Sequence, residues 1–177
     1  MSALENLLQK IEEAGLWEDP VELARGDFLK QAGSTDVDMY LVVSGCLRLF
    51  VMEEEEQTIR FGYEGNLVGA LDSFLTQQAS DIGIQALRKT VVRRVRRDAL
   101  LDLAQSSEEN QRGWIAILEN FVVQQMERER DILTSSPLDR YQRVLARSPQ
   151  LFQEVPMRYI ASYLRMTPET LSRIRKA

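Results

Sequence analysis

Between Thr167 and Lys176 polar side chains recur at helical spacing. Glu169, Ser172, Arg173 and Lys176 share one helix face, with Thr170 at its flank. An arginine can donate two hydrogen bonds to guanine, a glutamate can accept from cytosine N4, and a threonine can meet a thymine methyl or a phosphate. Lys176 and the upstream Arg158 are placed to neutralise phosphates. These residue types suit the major groove of a DNA duplex. An ordinary amphipathic helical hairpin would also expose a polar face, so the surrounding elements carry the decision.

Those elements agree with one another over Val155–Lys176. Pro156 stands where a helix can begin. Ile160 and Leu164 are one turn apart, and Ala161 is small where a second helix would cross closely. Arg165-Met166 makes a short turn. Thr167 is a good N-cap, Pro168 suits the first helical position, and Glu169 sits favourably in the first turn. Leu171 and Ile174 then face inward, three residues apart. This is the sequence form of a helix-turn-helix.

Other chemistries are closed by composition. The 177 residues include no histidine and one cysteine, Cys46. Ser-His-Asp and Cys-His catalysis, histidine or four-cysteine zinc sites, disulfides and four-cysteine iron–sulfur clusters are excluded. Carboxylate chemistry and Mg²⁺ stay open, but no nucleophile–base pair or phosphate loop is present, so no enzyme is expected. Hydrophobic residues make up 44% and charged residues 28%, enough to bury a core. No apolar run approaches the ~18–20 residues of a membrane span, and no signal peptide is visible in Met1–Lys10. The expectation is a cytoplasmic protein with no membrane partner and no metal.

Net charge is −5, yet it is segregated. Residues 1–136 hold 14 Lys/Arg against 24 Asp/Glu, whereas residues 137–177 hold 8 against 3. An acidic body with a basic end flags contact with a polyanion.

Upstream, periodicity divides the chain. Leu4, Leu7, Leu8 and Ile11 predict a helix over 1–16 that ends at Gly15. From about 21 to 97 the signals become strands and turns, and seven of the nine glycines lie between 26 and 83. Strands are predicted at 21–24, 39–43, 46–51, 57–63, around 82–86 and around 91–95. Ser44-Gly45 reads as a tight hairpin turn, Glu53–Glu56 as a solvated hairpin tip, and the basic run Arg93, Arg94, Arg96 and Arg97 as a solvated sheet edge. Short strands at this spacing predict an antiparallel roll or barrel.

Helix signals return at 98–105 and then over about 109–134. Trp114, Ile117, Leu118, Phe121, Val122 and Met126 lie on one broad side, and Ile115 and Val123 widen it. A helix this apolar has to bury more than one face; the second would suit another copy of the chain, although both faces could pack within one chain. Ser135-Ser136-Pro137 breaks the chain before a short basic helix at 138–148.

At this point the chain resembles the Crp/Fnr family of transcription regulators. The residues that carry the resemblance are the Gly26-Asp27 turn, Tyr40 to Gly45, Gly65-Asn66-Leu67-Val68-Gly69, Tyr159 to Leu164, and Thr167 to Lys176. The last two blocks resemble a subgroup found in Bacteroidetes-type bacteria. The resemblance covers about 20–177 and implies an α+β fold. Its parts would be an N-terminal antiparallel β-roll of the cyclic-nucleotide-binding kind (1–108), a dimerisation helix (109–136) and an all-α helix-turn-helix lacking a full wing (137–177). It also implies a homodimer on a palindromic operator, with RNA polymerase as a further partner. The family's DNA contacts would fall on Arg158, Thr167, Thr170, Arg173 and Lys176, with Glu169 as a base reader. Pro168 stands where the family often has a base-contacting arginine, and Arg165 replaces a turn glycine, at a cost of ~1 kcal/mol.

Family members that bind cAMP carry Gly-Glu-Leu and, later, Arg-Ser/Thr-Ala. Here the first element is Gly69-Ala70-Leu71 and the second aligns with Ser80-Asp81-Ile82. The ribose-binding glutamate and the phosphate-binding arginine are both gone, and Asp81 would repel a phosphate. No cofactor is expected, cAMP least of all, though an unknown small effector stays open. An alternative is a ligand-sensing or protein-interaction module with a vestigial helix-turn-helix.

Overall fold

The computed structural model describes residues 2–176; Met1 and Ala177 lie outside the described residues. Ser2 opens helix α1 (Ala3–Glu13) through a reciprocal capping box with Glu5. Gly15 closes it at φ +63°, a left-handed conformation that glycine adopts without a Cβ penalty.

Eight strands follow: β1 (Val21–Leu23), β2 (Phe28–Lys30), β3 (Met39–Ser44), β4 (Cys46–Met52), β5 (Glu56–Tyr63), β6 (Leu67–Val68), β7 (Gly83–Ala86) and β8 (Thr90–Val95). Helix α2 (Leu71–Thr76) interrupts them between β6 and β7. They form two four-stranded antiparallel sheets, β1-β8-β3-β6 and β2-β7-β4-β5. Val42 and Val92 from the first sheet meet Leu47, Leu49 and Ile84 from the second in one buried cluster between them.

Ser44-Gly45 is not the hairpin turn that the alternation predicts. Strands β3 and β4 belong to different sheets, so Gly45 turns the corner between them. Its φ is +99°, and a Cβ there would lie 2.4 Å from Thr90 Oγ1 and 2.6 Å from the Lys89 carbonyl. A sharp turn between two apolar runs reads alike for a hairpin and for a corner. The acidic tip 53–55 does join a true pair, with Met52 opposite Glu56.

The arginine run is likewise not on an edge. Strand β8 lies between β1 and β3, and its arginines are paired: Arg93 with Glu12 at 2.7 Å and Arg94 with Glu18 at 2.6 Å. The edges of the second sheet are β2 and β5.

Helices α3 (Arg97–Gln105) and α4 (Glu108–Leu133) close the roll, and Ser107 caps α4 by accepting from the Asn110 amide. Leu7, Ile11, Phe74, Leu100, Trp114 and Ile117 form the core beneath them. The six apolar residues expected on one side of α4 split into two faces. Trp114 and Ile117 are buried against the roll, with Leu118 and Phe121 partly buried beside them; Val122 and Met126 are 58% and 50% exposed. Helical geometry explains the split, because 114, 117, 118 and 121 make one stripe and 122 and 126 the next.

Four helices complete the chain: α5 (Pro137–Arg147), α6 (Leu151–Glu154), α7 (Met157–Tyr163) and α8 (Pro168–Lys176). They do not stand apart from the roll. Val144, Leu151, Ile160, Leu164 and Leu171 share a buried cluster with Cys46 and Leu87 of the roll.

Candidate nucleic-acid interface and the cavities of the roll

Helices α7 and α8 meet through Ile160, Leu164 and Leu171, each fully buried, and through the small Ala161. Arg165 turns the chain between them at φ +54°, the left-handed conformation expected where a glycine is replaced. Thr167 caps α8, its Oγ1 accepting from the Thr170 amide at 3.2 Å.

The polar residues singled out from the sequence lie on the outside of this pair. Arg158, Thr167, Glu169, Arg173 and Lys176 are exposed; Thr170 and Ser172 are partly covered. The Glu169 carboxyl is held below its usual range, by its own backbone N–H, by the Thr167 hydroxyl and by the charge of Arg173. Arg158, Arg165, Arg173, Arg175 and Lys176 have no carboxylate partner among the described residues. By contrast, Arg143 and Arg147 of α5 are both spent on the buried Asp131. The cations of α7, α8 and the turn between them therefore have no carboxylate to compete with an outside anion.

The helical pair is fastened to the roll by polar contacts. Ser162 Oγ accepts the Thr58 amide at 2.9 Å and donates to the Glu56 carbonyl at 3.1 Å, covering the open edge of β5. Arg48 is sandwiched between the rings of Phe50 and Tyr159, 4.2 and 4.4 Å from their centroids. Arg88 pairs with Glu154 at 2.6 Å.

The expected ligand cassette is divided by the fold. Gly69 and Leu71 line a cavity of about 390 Å³ between the roll and α4. Ala70 and Ser80 are buried away from it, and Asp81 is exposed and not among its walls. The carboxylate that lines this cavity is Asp72. Lys30, 3% exposed, donates to the carbonyls of Gln31, Ser80 and Ile82, so it fixes the loop that would carry a cassette arginine. Burial pulls the Lys30 ammonium below its ordinary range.

Two arginines line this cavity that sequence reasoning missed, Arg60 of β5 and Arg128 of α4. Neither has a carboxylate in salt-bridge range among the described residues, and burial pulls both guanidinium groups below their ordinary range. Arg128 is 6% exposed, and its Nε and Nη1 find no hydrogen-bond partner. The signal for Arg128 is its phase: it follows Trp114 and Phe121 at seven-residue steps along the roll-facing stripe.

Comparison with known proteins follows the fold. Residues 20–107 match the model of the cyclic nucleotide-binding domain. Curated proteins give no sequence match. FixK2 from Bradyrhizobium japonicum superposes with a TM-score of 0.74 at 17% identity, covering 89% of this chain and 82% of that one. A double mutant of CooA from Carboxydothermus hydrogenoformans gives 0.75 at 14% identity, over 99% of this chain and 83% of that one. CLP of Xanthomonas campestris, described as a c-di-GMP responsive global regulator, gives 0.69 at 13% identity, over 97% and 90%. Residues 20–107 thus resemble a cyclic nucleotide-binding domain, and the chain shares its fold with FixK2, CooA and CLP. None of its helices within the described residues is long and apolar enough to cross a membrane.

Proposed function

We infer that this chain is a DNA-binding transcription regulator of the Crp/Fnr type, acting as a homodimer and not as an enzyme. The observation that carries the reading is the set of five cations without carboxylate partners on α7, α8 and the turn between them. In a chain of net charge −5, an exposed basic face with no carboxylate partners fits a polyanion. Arg173 and Glu169 read bases from α8, the helix of a helix-turn-helix that enters the major groove. Arg158, Thr167, Thr170, Ser172 and Lys176 set its register on phosphates and base edges.

The functional division is a sensor roll at 1–108, a dimer helix at 109–136 and a DNA-binding unit at 137–177. The exposed stripe of α4, Ile115, Val122, Met126 and Leu133, supports pairing of two copies along this helix. Two recognition helices related by that axis would enter successive major grooves, ~34 Å apart, on a palindromic operator. RNA polymerase is the further partner of this reading, and the cytoplasm its place.

The chain does not respond to cAMP in this reading. A cyclic phosphate needs a cation from the cassette, and the cassette offers Ala70, a buried Ser80 and an exposed Asp81 instead. Asp72 lines the roll cavity beside Arg60 and Arg128, so that cavity also holds a carboxylate. Selection of bound genomic fragments followed by sequencing tests the function. A palindromic motif with half-sites about 10 bp apart is expected; recovery of fragments with no shared motif would overturn the reading.

A further inference from the structure

A second cavity, of about 600 Å³, lies where β5, α4 and the start of the C-terminal helices meet. It is distinct from the roll cavity: Tyr163, Arg147 and Leu151 line it, and neither Gly69 nor Leu71 does. Three cations line it, Arg60, Arg128 and Arg147, against one carboxylate, Glu127. Arg147 is already paired with Asp131, and Glu127 is engaged by Arg130 at 2.9 Å and Arg143 at 3.3 Å. Two positive charges are left over.

Neither Arg60 nor Arg128 has a carboxylate partner among the described residues, and Arg128 is also held in place. The Arg128 guanidinium lies 3.8 Å from the Tyr163 ring centroid and donates to the Tyr163 carbonyl at 2.6 Å, so its position is fixed. Arg60 makes no hydrogen bond to any described residue, and its guanidinium carbon is 5.8 Å from the Phe121 ring centroid. A desolvated cation normally finds an anion. The roll cavity shares both arginines but sets Asp72 against them, whereas the second cavity has no free carboxylate. Ile59, Phe61, Val123 and Leu151 supply apolar wall, beside the neutral polar Asn66, Gln124, Ser148 and Gln150.

We propose that the cavity at the junction of β5, α4 and residues 147–151 binds a small organic anion. Its carboxylate or phosphate pairs with Arg60 in the field of Arg128, and its apolar body lies against Phe61 and Val123. The volume suits a ligand of metabolite size. Because the walls come from both the roll and the C-terminal helices, the anion binds only the docked arrangement and holds the two together. The inference does not depend on the DNA reading, because its test contains no DNA.

The test is calorimetry on the full chain with benzoate and phenyl phosphate as probes and neutral benzyl alcohol as control. At least one anion should bind saturably with a Kd below about 1 mM, and benzyl alcohol should not. Arg60→Gln, at a partly exposed residue with no partner to lose, should fold normally and weaken binding at least about tenfold. Val123→Trp fills this cavity and should abolish binding; Ile132→Trp, in a wall of the roll cavity alone, should leave it intact. If both probes fail, the proposal is overturned. Binding that survives Arg60→Gln or Val123→Trp, or that Ile132→Trp removes, overturns it equally.

Discussion

The guanidinium of Arg128 stacks on the ring of Tyr163 at 3.8 Å and donates to its carbonyl at 2.6 Å, joining the long helix α4 to the end of α7. The same guanidinium leaves Nε and Nη1 buried and unpartnered. One side chain thus fastens two parts of the molecule while carrying an uncompensated charge. Arg128→Met keeps the stem and removes the charge. Replacing buried ionic groups, in the measured cases whole pairs or triads, by apolar residues of similar volume is often neutral or stabilising by ~1–4 kcal/mol. The midpoint of urea unfolding should therefore hold or rise; a fall corresponding to more than ~2 kcal/mol would show the charge to be compensated.

Ser162 and Thr58 supply the opposite case. Ser162→Ala removes the acceptor of the Thr58 amide and the donor to the Glu56 carbonyl together. An amide deprived of its acceptor costs ~1–3 kcal/mol. Hydrogen exchange at Thr58 should accelerate while amides within β3 and β8 stay protected. Unchanged protection at Thr58 would mean that the helical pair does not cover the β5 edge in solution.

How much of this was legible beforehand differs from element to element. The Thr167 cap and the inward Ile160, Ala161, Leu164 and Leu171 are readable because each rests on local spacing, whereas the left-handed Arg165 follows only from the turn glycine that the resemblance supplies. The long helix was readable in extent but not in use. Its apolar residues are too many for one stripe, and only the roll decides that Trp114 and Ile117 go inward while Val122 and Met126 stay out. The sheet partners that separate β3 from β4 lie far along the chain, Val92 opposite Val42 and Ile84 opposite Leu49, so local turn chemistry reads a corner as a hairpin. Strands β2 and β6 are three and two residues long, too short to show alternation. Arg60 lies in a strand whose pairing with β4 shifts register at Leu49–Phe50, which spoils the alternation that would have marked it.

Cys46 is fully buried, and burial pushes its thiol up to about 12. The unfolded thiol titrates near 9. Between those values the unfolded chain loses a proton that the native chain keeps, so stability falls as pH rises through this window. Below pH 9 the contribution is fully present. The native chain should resist iodoacetamide at pH 8 and react only when unfolded in urea; rapid native alkylation would place the thiol at the surface.

The exposed stripe of α4 predicts a dimer that charge can split. Val122→Glu with Met126→Glu puts carboxylates at two half-exposed positions on the outer face, where the single chain loses little packing. Light scattering should give the mass of two chains for the wild type and of one for the double variant. Equal masses would move the dimer axis elsewhere.

The most direct test of the central claim is a salt titration of DNA binding by fluorescence polarisation, on a fragment recovered by selection. Affinity should fall steeply and log-linearly with salt, as expected for released counterions. Arg173→Ala should cost ~1–3 kcal/mol on the selected site and little on random DNA, whereas Lys176→Ala should weaken both and reduce the salt slope by about one. Salt-insensitive binding, or Arg173→Ala with wild-type affinity for the selected site, would contradict the assignment of α8 as the DNA-reading helix.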